Sequence, residues 1–319
     1  MFLVCGEALF DLFVDHSQSK LPREIQFKAV AGGSPFNVAV GLSRLGTPSA
    51  LMTGVSTCFL GQQLRQVLEA EGVSTNYLVS LDTATTTLSV VAVNEQGIPS
   101  YCFYGHTGAD RHVRPEALPA LGSEIRGIHL GSYSLVVSPT SDSLYQLVSN
   151  AGQELLITLD PNVRLNVEPS LEVWRQKIDA FAQKAHIIKV SEEDLALLYP
   201  GANLEAIAQG LLNERCRLVF LTQGERGVTL FTRHHGQWSR PARPITPVDT
   251  VGAGDTFQAA LITYLLEQGF DHPAALDALT PAHLEALLRF ALEASALTCL
   301  RSGPDLPRRH ELQQVAHAH

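Results

Sequence analysis

Residues 249–260 read DTVGAGDTFQAA. Gly252, Ala253 and Gly254 form a run of small residues, and Asp255 follows at once. Apolar residues at 257, 261, 264 and 265 then recur at a helical period, so the Gly-Ala-Gly segment is expected to open a helix. The first backbone N–H groups of a helix have no intrahelical partner, and the helix dipole adds partial positive charge there. Such a turn binds anions. A carboxylate inside it would lie beside the anion, placed to take a proton from a group attacking it. The same residues also suit a plain tight turn with a dipole-favouring Asp.

The elements that must position this turn are legible in outline. Residues 2–7 (FLVCGE) read as a buried parallel strand, with Asp11 just past its carboxyl end, where open α/β sheets bind ligands. Residues 12–30 alternate loosely around a polar turn at 17–20 and predict a β-hairpin. Residues 31–46 (AGGSPFNVAVGLSRLG) predict a glycine turn feeding a buried helix, with Ser34 as N-cap, Pro35 at the first helical position and Gly46 as the stop. Gly32 and Gly33 would let backbone approach a ligand closely. Asn37, polar in a buried helix, needs a partner: a sugar hydroxyl or a neighbouring carbonyl would serve. A strand at 50–55 and a helix at 59–72 follow. Residues 85–93 and 100–104, joined by a turn at 95–97, predict strands that pair with residues 12–30 in a small separate sheet, a candidate lid.

From residue 111 onward the pattern becomes β-α repeats. Strands are predicted at 127–130, 154–160, 186–190 and 218–222, with helices at 141–151, 172–185, 194–199 and 204–213. This alternation implies a parallel sheet with helices on both faces. Polar clusters mark the strand ends: Asp160, Asn162 and Arg164; Lys189 with Ser191–Asp194; Thr222, Gly224 and Gly227. All are expected on the sheet edge that carries the 252–254 turn. A second hairpin is predicted at 227–240 and a closing helix at 285–299. His317 and His319 read as a frayed terminus.

The 319 residues are 45% hydrophobic and 17% charged, which suits a globular α/β chain, and no linker divides it. The net charge of −9 argues against nucleic acid or an acidic membrane as partner. The five cysteines are scattered without a C-x-x-C pair, which points to reduced thiols and a cytoplasmic protein. No basic leader and no long apolar run is present. A P-loop, a G-x-G-x-x-G after the first strand, G-x-S-x-G and H-E-x-x-H are all absent.

Two segments far apart, residues 31–46 and DTVGAGDTF at 249–257, match the two signatures of the ribokinase-like carbohydrate kinases, the PfkB family, and the chain resembles that family over nearly its whole length. GEALFD (6–11), FYGHTGADR (103–111), DPNVR (160–164) and KVSEEDL (189–195) are most similar to the bacterial fructokinases within it. The resemblance implies one three-layer α/β/α ribokinase-like domain over 1–319, with lid strands at about 12–30 and 85–105. It implies transfer of phosphoryl from ATP to a primary hydroxyl of a small sugar, D-fructose giving fructose 6-phosphate. Asp255 would be the general base and the N–H groups of Gly252, Ala253 and Gly254 the anion hole. Asp11, Gly32, Gly33, Asn37, Phe103, Asn162 and Arg164 would bind sugar. Lys189, Ser191, Thr222, Gly224, Gly227 and Gly254 would line the ATP side. The family's Asn-x-x-Glu near Mg²⁺ appears here as Ser191-Glu192-Glu193-Asp194, so Asp194, through water, is the candidate carboxylate beside Glu192 and Glu193. A monovalent cation, K⁺, is implied at Asp249 and the Val251 carbonyl, facing the 298–303 loop, and a homodimer through the lid is a further implication. The alternatives are a 2-keto-3-deoxygluconate kinase, for which Arg164 or Arg111 would supply a cation, a ribokinase or nucleoside kinase, and an inactive sugar-binding regulator.

Overall fold

Short runs of Val, Ile, Leu and Phe, too brief for helices and closed by polar residues, build the centre of the molecule. The computed structural model describes residues 1–15, 23–93 and 99–312. In chain order the elements are β1 (Phe2–Cys5), β2 (Leu9–Asp15), β3 (Gln26–Gly32), α1 (Ser34–Arg44), β4 (Ser49–Met52), β5 (Gly54–Ser56), α2 (Phe59–Ala70), β6 (Val79–Leu81), β7 (Leu88–Val93) and β8 (Pro99–Tyr104). Then come β9 (Gly127–Gly131), α3 (Thr140–Ser149), β10 (Leu156–Asp160), α4 (Leu171–Ala182), β11 (Ile187–Ser191), α5 (Glu192–Leu198), α6 (Leu204–Gly210) and β12 (Leu218–Thr222). The chain closes with β13 (Val228–Thr232), β14 (Gly236–Arg240), α7 (Ala253–Glu267) and α8 (Pro281–Cys299).

The main sheet has the order β14-β13-β12-β11-β10-β9-β1-β4. It is parallel from β4 through β12, and β13 and β14 add antiparallel at one edge. Successive side chains of a strand alternate between faces. Phe2, Val4, Leu156, Ile187, Leu218 and Phe220 accordingly join one core with α1, α2, α7 and α8. Leu3, Cys5, Ile128, Leu159, Ile188 and Val219 join the other with α3 to α6, where Trp174 is fully buried. The expected layers, helix–sheet–helix, are therefore present. Among the described residues no helix is long and apolar enough to cross a membrane.

The expected small sheet is present too, in the order β3-β2-β7-β8. Asp11, expected just past the carboxyl end of the first strand, lies within this sheet on β2, opposite Val30. The strand expected at 85–93 begins only at Leu88, because Thr87 turns its hydroxyl to Asp110 and Thr85 bridges Gly108. The strand expected at 50–55 is two strands. At Gly54 the backbone passes so close to Ala109 that a Cβ would lie 2.0 Å from its carbonyl oxygen, and β5 leaves the main sheet to pair with β6. The turns expected at 17–20 and 95–97 and the terminal histidines lie outside the described residues.

Candidate active site

The 252–255 turn opens α7 as expected. Gly252 is the N-cap in the left-handed region, φ 81°, and a Cβ there would also meet Pro304 at 2.9 Å. Any other residue would be strained at this corner. Ala253 and Gly254 are the first two helical residues, and Asp255 falls in the first turn, 8% exposed.

The partner helix differs from the sequence expectation. Gly33, at φ 106°, is the N-cap of α1, and Ser34 is its first helical residue. Ser34 makes no cap. Its hydroxyl donates to Asp255 Oδ1 at 2.6 Å, and Asn37 Nδ2 donates to Asp255 Oδ2 at 2.8 Å. Residues 34 and 37 share one helix face, so a single face of α1 supplies a donor to each carboxylate oxygen. The fit depends on close approach of the two helices one turn further on. A Cβ added to Gly41 would lie 2.8 Å from the Ala259 Cβ and 2.6 Å from Leu306 Cδ2.

Beneath Gly254 stands Lys189, whose Nζ would be 2.9 Å from a Cβ added there. It donates to Asp160 Oδ2 at 2.7 Å, a pair almost wholly out of solvent. Burial pushes Asp160 up to about 6, against the pull of Lys189, so it is ionised at neutral pH. Burial works against the Lys189 charge, but Asp160, Asp194 and Asp255 outweigh it and hold its pKa above the usual lysine value. Asp255 itself is raised by burial. Ser34, Asn37, Lys189 and Arg164 oppose that shift. A carboxylate shifted toward neutrality yet held by donors is suited to accept a proton.

The other predicted residues gather here unequally. Asp11, raised by burial, lies in the fields of Arg164 and Asp255, and a Cβ on Gly32 would be 2.8 Å from its carboxylate. Asn162 holds a positive φ of 40°, and Arg164, two residues on, lies within electrostatic reach of Asp11 and Asp255. Ser191 caps α5 and sits in register with Thr222 on β12. Gly224 and Gly227 make the left-handed turn into β13. Of the three acidic residues, Glu192 pairs with Arg226 and Glu193 is exposed, whereas Asp194 is buried and accepts the Val163 N–H at 2.8 Å. Asp249 accepts N–H groups from Val251 at 3.0 Å and Gly303 at 2.9 Å, tying the turn to the loop after α8. Phe103 packs edge-on against Tyr133, 6.0 Å between ring centres.

Several buried polar groups near the site were given no role from the sequence, although Glu7 and Asp110 lie within the segments GEALFD and FYGHTGADR. Asp110 accepts from Thr87 at 2.5 Å and Tyr133 at 2.8 Å. Glu7 follows the apolar run of β1 and is 2% exposed. Ser134 donates to it, and burial pushes it up to about 7. His129, held near 3 by burial and then by Lys189, shares a strand face with Thr158, Asp160 and Lys189. That polar face on otherwise apolar strands was the available clue.

Comparison with known proteins agrees with this geometry. A family model described as pfkB family carbohydrate kinase matches residues 1–310. A fructokinase of Rhizobium leguminosarum bv. trifolii is 33% identical over 314 residues, covering 97% of this chain and 88% of that protein. A fructokinase of Xylella fastidiosa, solved with bound ATP, superposes with a TM-score of 0.90 at 28% identity over 99% of this chain and 98% of its own. A fructokinase of Vibrio cholerae O395, solved with fructose, ADP and calcium, gives 0.82 at 25% identity over 98% and 97%. With its two signature segments joined at one carboxylate and the family pattern spanning nearly all its length, this chain belongs to the pfkB family of carbohydrate kinases.

Proposed function

We propose that the protein transfers the γ-phosphoryl group of ATP to the primary hydroxyl of D-fructose, giving fructose 6-phosphate. The observation that carries this is the Asp255 carboxylate, buried, gripped on both oxygens by α1, and set in the first turn of α7 just after the left-handed Gly252. Fructose is favoured by relatives and neighbours that are themselves fructokinases.

In this reading Asp255 takes the hydroxyl proton as the oxygen attacks phosphorus. The N–H groups of Gly252 and Gly254 stabilise charge developing on the phosphoryl oxygens, joined by that of Ala253 once it leaves the Thr250 carbonyl to which it donates at 3.2 Å, and Lys189 adds a fixed positive charge behind them. Asp11, Gly32, Gly33, Asn37, Asn162 and Arg164 hold the sugar, and Phe103 contacts it from the small sheet, which acts as a lid excluding water. Ser191, Thr222, Gly224 and Gly227 line the nucleotide side. Mg²⁺ fits the donor set: Asp194 is a buried carboxylate, and Asp160 keeps one oxygen without a protein partner. Among the described residues no three acidic, His or Cys side chains cluster at metal-binding distance, so phosphate and water would supply most of its ligands. When bound, Mg²⁺ supplies charge neutralisation at the phosphates. Asp249 and the Val251 carbonyl are the positions for K⁺. The setting is cytoplasmic.

One observation favours a second substrate. Arg164 is close enough to act electrostatically on both Asp11 and Asp255, so a cation is at hand for a sugar acid such as 2-keto-3-deoxygluconate. Arg111 is less available, stacked 5.0 Å over the Tyr133 ring. Coupled ADP release over fructose, ribose, 2-keto-3-deoxygluconate, mannose and adenosine tests the choice. Fructose should give the highest kcat/KM. A higher value for the sugar acid overturns the assignment, and no release with any sugar restores the inactive regulator. Asp255→Asn should lose at least about 10³-fold in kcat while fructose still binds, and near-normal turnover would sink the base assignment.

A further inference from the structure

Ser34 and Asn37 hold the same carboxylate with chemically different donors. The Asn37 amide N–H can only donate, and it occupies Oδ2 at 2.8 Å. The Ser34 hydroxyl, at 2.6 Å from Oδ1, is a rotor that can donate or accept. Each donor leaves one lone pair of its oxygen free, so Asp255 can still accept a proton while both contacts hold it. Ser34 is 7% exposed and fixed at the first residue of α1, so its oxygen stays in place against Oδ1.

We propose that Ser34 is a positioning residue for the base: its hydroxyl, donating to Asp255 Oδ1, holds the carboxylate charged and oriented so that a lone pair left free takes the substrate proton. This rests on Asp255 being the base. The step is balanced. The sugar O–H bond breaks and its proton goes to the Asp255 carboxylate, the new O–P bond forms, and the bond from phosphorus to the ADP oxygen breaks. Ser34 exchanges no atom and keeps its hydrogen bond to Oδ1. The charged groups facing Asp255 are Lys189 from β11, Asp160 from β10, Arg164 from the loop after it and Asp11 from β2. None of them reaches Oδ1 with a hydrogen bond among the described contacts, so the hydroxyl has no replacement.

The test is the pH profile of kcat and kcat/KM for fructose with Mg²⁺ and ATP, for wild type, Ser34→Ala, Ser34→Thr and Asp255→Asn, with fructose affinity measured directly by calorimetry. Loss of a hydrogen bond to a charged, buried acceptor should move the acid limb of Ser34→Ala up by about one pH unit. Its kcat near pH 6.5 should fall about tenfold with fructose affinity within twofold of wild type. Ser34→Thr, which keeps the hydroxyl, should restore the limb. A Ser34→Ala profile that superimposes on wild type overturns the Ser34 role, as does a loss confined to fructose affinity or a Thr variant that behaves like Ala. An active Asp255→Asn overturns the base reading instead, so the two failures are distinct.

Discussion

Glu7 sits beneath the glycine turn that begins α1, its Cγ 3.1 Å from where a Cβ on Gly33 would be. It has serine donors but no cation among its perturbing groups, and nearby Asp110 adds repulsion. Its folded-state pKa, pushed up to about 7 chiefly by burial, exceeds its ordinary value of 4.5. Between those two pH values the native state binds more protons than the unfolded chain, so this residue's contribution to stability falls as pH rises through the window. Glu7→Gln removes the effect. Its stability relative to wild type should improve by on the order of 3 kcal/mol between pH 4.5 and pH 8. Urea midpoints at both values measure this, and an unchanged difference refutes it. Asp255 was legible from its place after three small residues, but its two donors were not. Ser34 looked like a helix cap because caps and first-turn serines share a sequence signature. Only the packing of α1 on α7 gives its hydroxyl a different acceptor.

The two helices that meet at this carboxylate are held at a distance set by small residues. Gly41 of α1 and Ala259 of α7 lie one turn beyond the Asn37–Asp255 contact. Gly41→Ala would place a methyl group 2.8 Å from Ala259 Cβ, against a backbone-anchored neighbour that cannot swing aside. The helices must part, costing about 1–3 kcal/mol of stability. A shift near 1 Å at Asp255 should lower kcat about 100-fold while KM for ATP changes little. Retention of full activity by a folded Gly41→Ala protein would refute the coupling. Periodicity located α1, α7 and every long strand of the main sheet to within a few residues. It failed where the backbone is steered by a contact distant in sequence, as at Gly54 against Ala109 and at Thr87 against Asp110.

Across the whole molecule, the small sheet presents two edges, β3 and β8. Ile25 precedes β3, Phe27 lies on it and Tyr104 ends β8, exposed by 67%, 43% and 61%. Apolar side chains beside open strand edges favour pairing with another copy. We therefore expect a homodimer joined through this sheet. Sedimentation velocity should give a dimer for wild type and a monomer for the double variant Ile25→Ser, Phe27→Ser. A wild type that sediments as a monomer at tens of micromolar removes the small sheet from consideration as an interface. The doubly covered main sheet was readable from strand–helix alternation. The apolar exposure of the small sheet was not, because Ile25 and Phe27 read in sequence like any alternating strand.

Ser34 and Asn37 are separated from Asp255 by more than two hundred residues of chain. During synthesis, then, Asp255 meets Ser34 and Asn37 only once α7 has left the ribosome and docked on α1. Phosphoryl transfer thus reports on completed assembly: two fragments divided between β8 and β9 should each be inert and regain turnover only on reassociation.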